Sequence, residues 1–537
     1  MPLSGPETTD GATAPNLSHT NAYNKQVGSR YSWYVLVLLV IVYFVNFVDR
    51  QIISILAEDI KKDLGVSDAQ IGFLYGTAFA IFYSLFGIPL GRLADMWVRT
   101  RLMAIGLAVW SGLTAISGFT ANFAQLALVR VGIGIGEASA SPSAFSLLSD
   151  YFPKQKRATV LAIYSAGLYL GGGFSYLLGS LVVDGWNSAF PDHNFAPFGL
   201  AGWQAAFVGV GLPGILLAVF VWTIREPVRG LADGIITPPA TDIWRKFWLE
   251  LSAILPPFTL IHLFVIGGMK SLVRNILLLI AVCVAVVVMF FITKDIAQWI
   301  ALGIGVYAVT SWAQSLYIRD RPTFALTWGT AAFRYAVTAF GLISFAGYSV
   351  GFWLVPYLMR EFSISKKTAA LTVGVPHALA GLLGVILGGY LADKLKSRGP
   401  AGRLVVAFAA CVGPMPFYYY VFTGNHLPTI YIVSFLGAII GSCWVGVGAA
   451  TTQDLVLPRM RGTAGATYFV GTTMLGLALG PYYTGAVSKA TGSLAVGALA
   501  LYLIAPLTLF CLWRLRVLLP EAEASRTERA RAVGEDI

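Results

Sequence analysis

The chain has 537 residues, 57% apolar and 12% charged, with a mean hydropathy of +0.72. That balance lies far from the soluble globular average. A net charge of +11 would suit a nucleic-acid partner, but most Lys and Arg fall in loops and tails on one side of the apolar stretches, the positive-inside asymmetry of a polytopic membrane protein; no nucleic-acid partner is expected.

In chain order, residues 1–30 carry Thr, Asn, Gly, Ser and Pro without an apolar block and read as a disordered cytoplasmic tail, not a signal peptide. Six spans follow, near 33–56, 70–91, 102–120, 122–149, 158–183 and 203–224, each able to cross a bilayer at about 1.5 Å per residue. The loop 184–204 contains Trp186 and Trp203 but no Lys or Arg and reads as external. A central cytoplasmic segment, 226–331, carries two further apolar stretches, 275–292 and 296–318, joined by a short turn. Lys270 and Arg274 precede this hairpin and Arg319 and Arg321 follow it, so it leaves and re-enters the same side. The stretch 251–268, interrupted by Pro256 and Pro257, reads as interfacial. Six more spans lie near 332–357, 368–391, 404–422, 427–452, 462–487 and 492–515, and 517–537 is a cytoplasmic tail. The expected fold is an all-α integral membrane protein of about fourteen helices. Two six-helix bundles, 31–225 and 332–516, flank the hairpin, and both termini face the cytoplasm of a cell whose inner (plasma) membrane holds the protein. Cys283, Cys411, Cys443 and Cys511 lie in apolar spans without metal-type spacing and read as packing residues, so neither metal nor cofactor is expected.

Two strings reveal an internal duplication. GRLAD at 91–95 and GYLAD at 389–393 each close a span and open a basic loop. Asp150 with Pro153 and Arg157 recurs as Asp454 with Pro458 and Arg461. Two elements repeated in the same order mark a duplicated half, the build of many secondary transporters. On these motifs the chain resembles the major facilitator superfamily over nearly its whole length. GRLADMWVRTR resembles that superfamily's loop between its second and third helices, departing at Met96, where a basic residue is common, and Val98, where Gly is common. NFVDR at 46–50, RVGIGIGEAS at 130–139 and DYFPKQKRATVLAIYSAG at 150–167 resemble its Spinster branch, whose animal members export lysophospholipids and sphingosine phosphate. The resemblance implies alternating access. It also implies a cytoplasmic gate in which Asp95 meets the start of the eleventh helix of the twelve-helix plan and Arg99. Gly91, Asp150 with Arg157, and Asp393 are the other gate candidates.

Ionisable side chains inside spans are functional candidates by default. They concentrate in the first half as Asp49, Arg50, Arg130 and Glu137. At about 1.5 Å per residue, Asp49 lies roughly 24 Å along its helix and Arg130 about 13 Å along its own, entered from the other side. Asp49 or Arg50 is thus at the right depth to meet Arg130. Asp49 and Glu137 are expected to carry protons, with sodium as the alternative ion, and Arg130 to be the switching partner or anion anchor. Arg50 suits either role, and a purely structural ion-pair cluster is the competing reading. In the second half His377, Tyr348, Trp353 and Tyr468 are expected to line the substrate path. One charged wall and one apolar, aromatic wall suit an amphiphilic anion such as a lysolipid. A small organic acid or drug-like compound is the alternative cargo, and a polytopic lipid enzyme the alternative class. The latter lacks a His-rich cluster, HExxH or GxSxG. Gly132, Gly134 and Gly136 mimic a nucleotide loop but lie inside a span with no preceding strand. Small residues spaced by four, Gly171, Ser175 and Gly179, then Gly476, Gly480 and Thr484, mark close helix contacts and candidate sliding surfaces between the halves. The transporter is expected to be a monomer.

Overall fold

The computed structural model describes residues 27–192, 195–230, 232 and 241–535. Of the tail expected over 1–30, residues 1–26 lie outside the described residues, and residue 30 already opens the first helix. Twelve helices among the described residues are long and apolar enough to cross a membrane; two more helical stretches, 123–151 and 461–491, have the length but are broken and less apolar, and with them the helices number the expected fourteen. In chain order they are α1 (Arg30–Leu64), α2 (Asp68–Met96), α3 (Arg99–Ser117), α4 (Phe123–Glu137 and Ala140–Tyr151), α5 (Lys154–Ala189) and α6 (Gly202–Trp222). The hairpin is α7 (Phe258–Thr293) and α8 (Ile296–Arg319). The second half comprises α9 (Ala331–Phe362), α10 (Lys366–Lys396), α11 (Leu404–Thr423), α12 (Leu427–Asp454), α13 (Arg461–Gly471 continued through Gly480–Thr491) and α14 (Leu494–Ala524).

Local chemistry sets the ends and breaks. Ser29 caps α1 by accepting from the Ser32 amide at 3.2 Å, and Gly65 ends it in the left-handed region at φ 63°. Ser67 and Gln70 form a reciprocal capping box at the start of α2. The break in α4 falls at residues 138–139, where Pro142 has no N–H to offer the carbonyl four residues earlier. The helix α2 is interrupted at Gly76, and α13 contains a wide π turn at Thr472–Ala478, just before Pro481.

Two readings change. The stretch expected to be interfacial is instead continuous with the hairpin, because α7 begins at Phe258 and bends at Gly268, whose φ of 67° only glycine adopts freely. An amphipathic helix, Ile243–Ser252, takes the surface position, with Ile243 and Phe247 packed on Leu90, Leu93 and Trp97 of α2. The stripe Gly171, Ser175 and Gly179 does not face the other half. A Cβ on Gly171 would lie 2.3 Å from the Phe44 carbonyl oxygen of α1, and one on Gly179 2.6 Å from Ile55. Gly476 and Gly480 likewise press on Ser344 and Phe345 of α9, and Thr484 bonds Ser349 at 3.1 Å. Both stripes hold helices together inside one half. The seams between halves use other small residues. Along α2 and α13, a Cβ on Gly72 would come within 2.5 Å of the Pro481 carbonyl oxygen, and one on Gly76 within 2.4 Å of that of Leu477. Along α5 and α10, one on Gly173 would meet the Gly374 carbonyl oxygen at 2.7 Å.

Candidate functional site

The first helix starts and the last helix finishes at one end of the bundle, here the near end; α1 finishes and α2 starts at the far end. Midway along the first half, Asn46, Asp49 and Arg50 of α1 and Arg130 and Glu137 of α4 are all buried. Arg50 Nη2 donates to Glu137 Oε2 at 2.7 Å. Its guanidinium also lies over three rings, Phe79 at 4.4 Å, Phe47 at 4.7 Å and Tyr83 at 4.9 Å, a setting that favours a planar cation. Arg130 donates through Nε to the Leu74 carbonyl at 3.1 Å, beside the interruption of α2 at Gly76. Its two Nη groups are buried without a partner among the described residues. The expected meeting of Asp49 or Arg50 with Arg130 thus takes a different form: the close pair is Arg50 with Glu137. Asp49 faces Trp110 and Thr114 of α3 with Arg130 and Glu137 as its nearest charges, and neither of its carboxylate oxygens has a hydrogen bond of normal geometry. Buried polar atoms are nearly always paired. A cluster with Asp49, Glu137 Oε1 and both Arg130 Nη groups unsatisfied is one in which partners can be exchanged.

In the second half a cavity of about 270 Å³ lies among α9, α10, α11, α12 and α14, with Tyr169 of α5 also in its lining. Its wall is mostly apolar, with Val350, Met415, Phe422 and Leu501 among the lining residues. His377 is on that wall. Its Nδ1 bonds the Val373 carbonyl at 2.8 Å, so Nδ1 carries the proton and Nε2, which has no partner, is the acceptor. Tyr348 is half-buried and within electrostatic reach of Arg50, but it is not on the cavity wall. Trp353 and Tyr468 do not line the cavity. Trp353 is fully buried and donates to the Pro481 carbonyl at 2.8 Å, fastening α9 to α13; Tyr468 packs on Phe340 and Gly448 inside the second half.

At the near end, Arg99 is buried and donates to Asp150 at 2.5 Å and Glu226 at 2.7 Å. It is engaged there rather than with Asp95. The Asp95 carbonyl accepts from Arg229 at 2.5 Å, and Ala94 and Trp97 give Arg229 further carbonyls. Gly91 faces Pro142 of α4, Arg157 donates to the Ser149 carbonyl at 2.7 Å, and Asp393 is exposed. The duplicated half repeats the buried pair: Arg403 and Lys396 both donate to Asp454, as Arg99 does to Asp150.

The far end holds a network that sequence reasoning missed. Arg360 of α9 grips Asp68 of α2 at 2.8 and 2.7 Å and Glu58 of α1 at 2.7 Å. Lys61 pairs with Asp68 at 2.5 Å, Ser488 of α13 donates to Asp68 at 2.7 Å, and Lys366 pairs with Asp59. Deeper in, Ser54 donates to the Phe352 carbonyl at 2.6 Å and Tyr176 to that of Gly351 at 2.8 Å. All of these but the Lys61–Asp68 pair join the two halves, so the far end is closed. A signal was present: the corresponding turns of the repeat are acidic at Glu58, Asp59 and Asp63 and basic at Arg360, Lys366 and Lys367.

The model of the Major Facilitator Superfamily matches residues 39–412 and 336–536. An efflux pump of the same type from Mycolicibacterium smegmatis is 27% identical over 93% of this chain and 96% of its own length. Protein spinster of Drosophila melanogaster is 25% identical over 86% of this chain and 62% of its own length. Among solved structures, a bacterial homologue of the human lysosomal transporter Spinster, inward-facing and occupied, aligns with a TM-score of 0.64 at 25% identity, covering 94% of this chain and 96% of that one. The xylose transporter XylE from E. coli, at 14% identity and TM-score 0.58 over 92% of this chain and 99% of that one, shares the fold.

Proposed function

The chain belongs to the Major Facilitator Superfamily, a multi-pass membrane transporter resembling its Spinster members, and from that premise we propose that it is a proton-coupled secondary transporter of an amphiphilic anion. Two features carry the reading: a buried, incompletely paired charge cluster in the first half, and an apolar cavity in the second half whose lining includes Tyr169 of the first. An anionic head would take the free Nη groups of Arg130, and an acyl tail the apolar wall of the second half. A lysolipid has that division of chemistry. The near end, which carries the basic loops, faces the cytoplasm of the inner membrane, and the arrangement closed at the far end is then inward-facing.

Protons fit the site better than sodium. The groups around Asp49 are the Glu137 carboxyl, the Arg130 guanidinium, the Trp110 N–H and the Thr114 hydroxyl; two of these four only donate and one of those is itself a cation, whereas a hard cation needs several oxygen ligands. Loss of a proton from Asp49 or Glu137 would recruit Arg130, and protonation would release it, so that proton occupancy and the pairing of α1 with α4 change together. The efflux pump among the relatives supports the second reading, a drug-like or organic anion moved by the same machine. A convergent nucleophile and base for lipid chemistry is not part of this site, and we take the chain to be a transporter rather than an enzyme. The test is uptake of labelled lysolipids and organic anions into proteoliposomes. Lysolipid transport driven by an imposed pH gradient is expected; transport indifferent to pH but driven by sodium overturns the coupling assignment.

A further inference from the structure

The hairpin α7–α8 lies along the seam between the halves. Gly305 of α8 sits where α2 and α13 meet: a Cβ there would approach Met474 of α13 at 2.7 Å and Ile81 of α2 at 3.0 Å. At the turn, Asp295 accepts from Tyr482 at 2.9 Å and from Lys489 at 3.3 Å, both of α13. Trp299 meets the Tyr482 ring edge-on at 6.0 Å. Between these contacts, Thr77 Oγ1, one residue past the interruption of α2, lies 2.6 Å from the Ala478 carbonyl at the end of the π turn of α13. It also lies 2.6 Å from the Gln298 side-chain amide of α8.

The hydrogen count fixes the direction of this chain. A hydroxyl has one hydrogen and cannot donate to two acceptors. With that hydrogen on the Ala478 carbonyl, Gln298 must present its amide N–H to Thr77, an orientation of the same shape as its alternative. Nε2 then has Thr77 as its acceptor, and Oε1 takes the side of the amide that has no partner among the described residues. A donor chain thus runs from the hairpin through the first half into the second, and it joins the two irregular turns of the seam.

We propose that the hairpin positions α2 and α13 for alternating access: Gln298, Asp295 and Gly305 clamp this seam and favour the conformation closed at the far end. When the far end opens, the outer segments of α2 and α13 part, and α8 cannot keep both sets of contacts. The hairpin releases Thr77 from Ala478, or it leaves Ile81 while remaining on α13 through Asp295 and Tyr482. Either way its contacts belong to one state more than to the other, which is what shifts a conformational equilibrium. Gln298 and Asp295 are positioning residues. They do not touch the charge cluster or the apolar cavity, and the inference needs only that the halves alternate, whatever the cargo.

Spin labels at positions 62 and 490, exposed at the far ends of α1 and α13, report the opening as a distance distribution in lipid nanodiscs, in a background lacking the four native cysteines. Gln298→Leu is expected to raise the ratio of far-end-open to closed molecules roughly three- to tenfold, the effect of one lost buried hydrogen bond, with melting temperature within a few degrees of the parent. Asp295→Asn, at the rim, shifts it in the same direction by less. Should Gln298→Leu fail to fold, Asp295→Asn and Gly305→Leu carry the test. Parent-like distributions in the folded variants, or lower melting without a change of distribution, overturn the proposal.

Discussion

Arg360 and Asp68, 292 residues apart in the chain, form a two-pronged pair in which each guanidinium Nη takes one carboxylate oxygen, at 2.8 and 2.7 Å. One residue belongs to each half, so the pair can exist only while the far end is closed. Asp68→Asn keeps the shape but removes the charge that Arg360, Lys61 and Ser488 share. With Arg360 still held by Glu58 and partly exposed, the loss should be about 1–3 kcal/mol. That corresponds to roughly a five- to 150-fold gain of the far-end-open form. Labelling of a cysteine at position 351 by an impermeant maleimide applied from the far side should accelerate accordingly; an unchanged rate would make the network a surface feature.

Asp49→Asn and Glu137→Gln should fold, lose uphill transport and retain exchange of substrate at equal pH, because amides keep shape and hydrogen bonding but release no proton. Arg130→Lys keeps charge while losing the planar fork, and should weaken substrate binding as well. A structural cluster predicts low melting temperatures instead, since removal of one partner strands a buried charge. Thermal melts run beside the transport assays separate these outcomes, and stable variants with normal uphill transport would remove Asp49 and Glu137 from coupling.

The cavity of the second half gives a chain-length test. Ala346 lies on its wall, and Ala346→Phe should occupy room for about three methylenes, each worth about 0.8 kcal/mol of burial. KM for a long-chain lysolipid should rise at least about tenfold, while that for a small organic anion stays within a factor of about two. Equal effects on both would place the tail elsewhere.

At the near end the two aspartate motifs should behave differently. Arg99→Ala removes the buried guanidinium that Asp150 and Glu226 share and should destabilise the protein by about 3–5 kcal/mol, seen as loss of folded yield in detergent. Asp95→Asn leaves the carbonyl that holds Arg229 in place, so it should melt normally and act only on the fraction of molecules closed at the near end. Distances between labels on the near ends of α2 and α13 would show that fraction falling.

The tail has a pH signature. Arg459 at the start of α13 is shared by Asp320, just after the hairpin, and Glu535. Burial opposes ionisation of Asp320, but hydrogen bonds from Arg459 and Thr323 outweigh it, and its carboxyl sits below the usual range; the hydrogen bond from Arg459 holds Glu535 low as well. A depressed carboxylate stabilises fully above the ordinary value near 4 and loses that contribution as pH falls through the depressed one. Hydrogen exchange over residues 526–533 should therefore be as slow at pH 5 as at pH 7, once corrected for the intrinsic rate, and speed up only near pH 3. Release already at pH 5 would show that these pairs do not hold the tail.

Much of this architecture could be read from residues alone, because bilayer thickness and the exclusion of charge impose long apolar runs that no tertiary contact overrides. The repeated aspartate motifs located the near end, and the lone intramembrane ionisable groups located the first-half cluster. Pairing within that cluster was not legible: depth along a helix puts Arg50 and Arg130 at similar heights, but the rotation that gives Glu137 to Arg50 comes from the packing of Gly134 on Phe79, where a Cβ would lie 2.5 Å from the carbonyl oxygen. Glycine periodicity marks close contacts without saying which helix is the neighbour, so Gly171 and Gly476 are legible as packing positions but not as belonging inside one half, while the seam uses Gly72 and Gly173. The far-end closure escaped because its residues sit where spans meet loops, the place where charges are ordinarily solvated.

Two duplicated halves alone would offer the surrounding lipid two equivalent flanks, α2 with α13 and α5 with α10. The hairpin occupies the first and leaves the second bare, giving the molecule a front and a back within the plane of the membrane. Anything diffusing in the bilayer, whether a cargo molecule, a bulky lipid or another protein, meets hairpin helices from one direction and the transporter's own moving helices from the other.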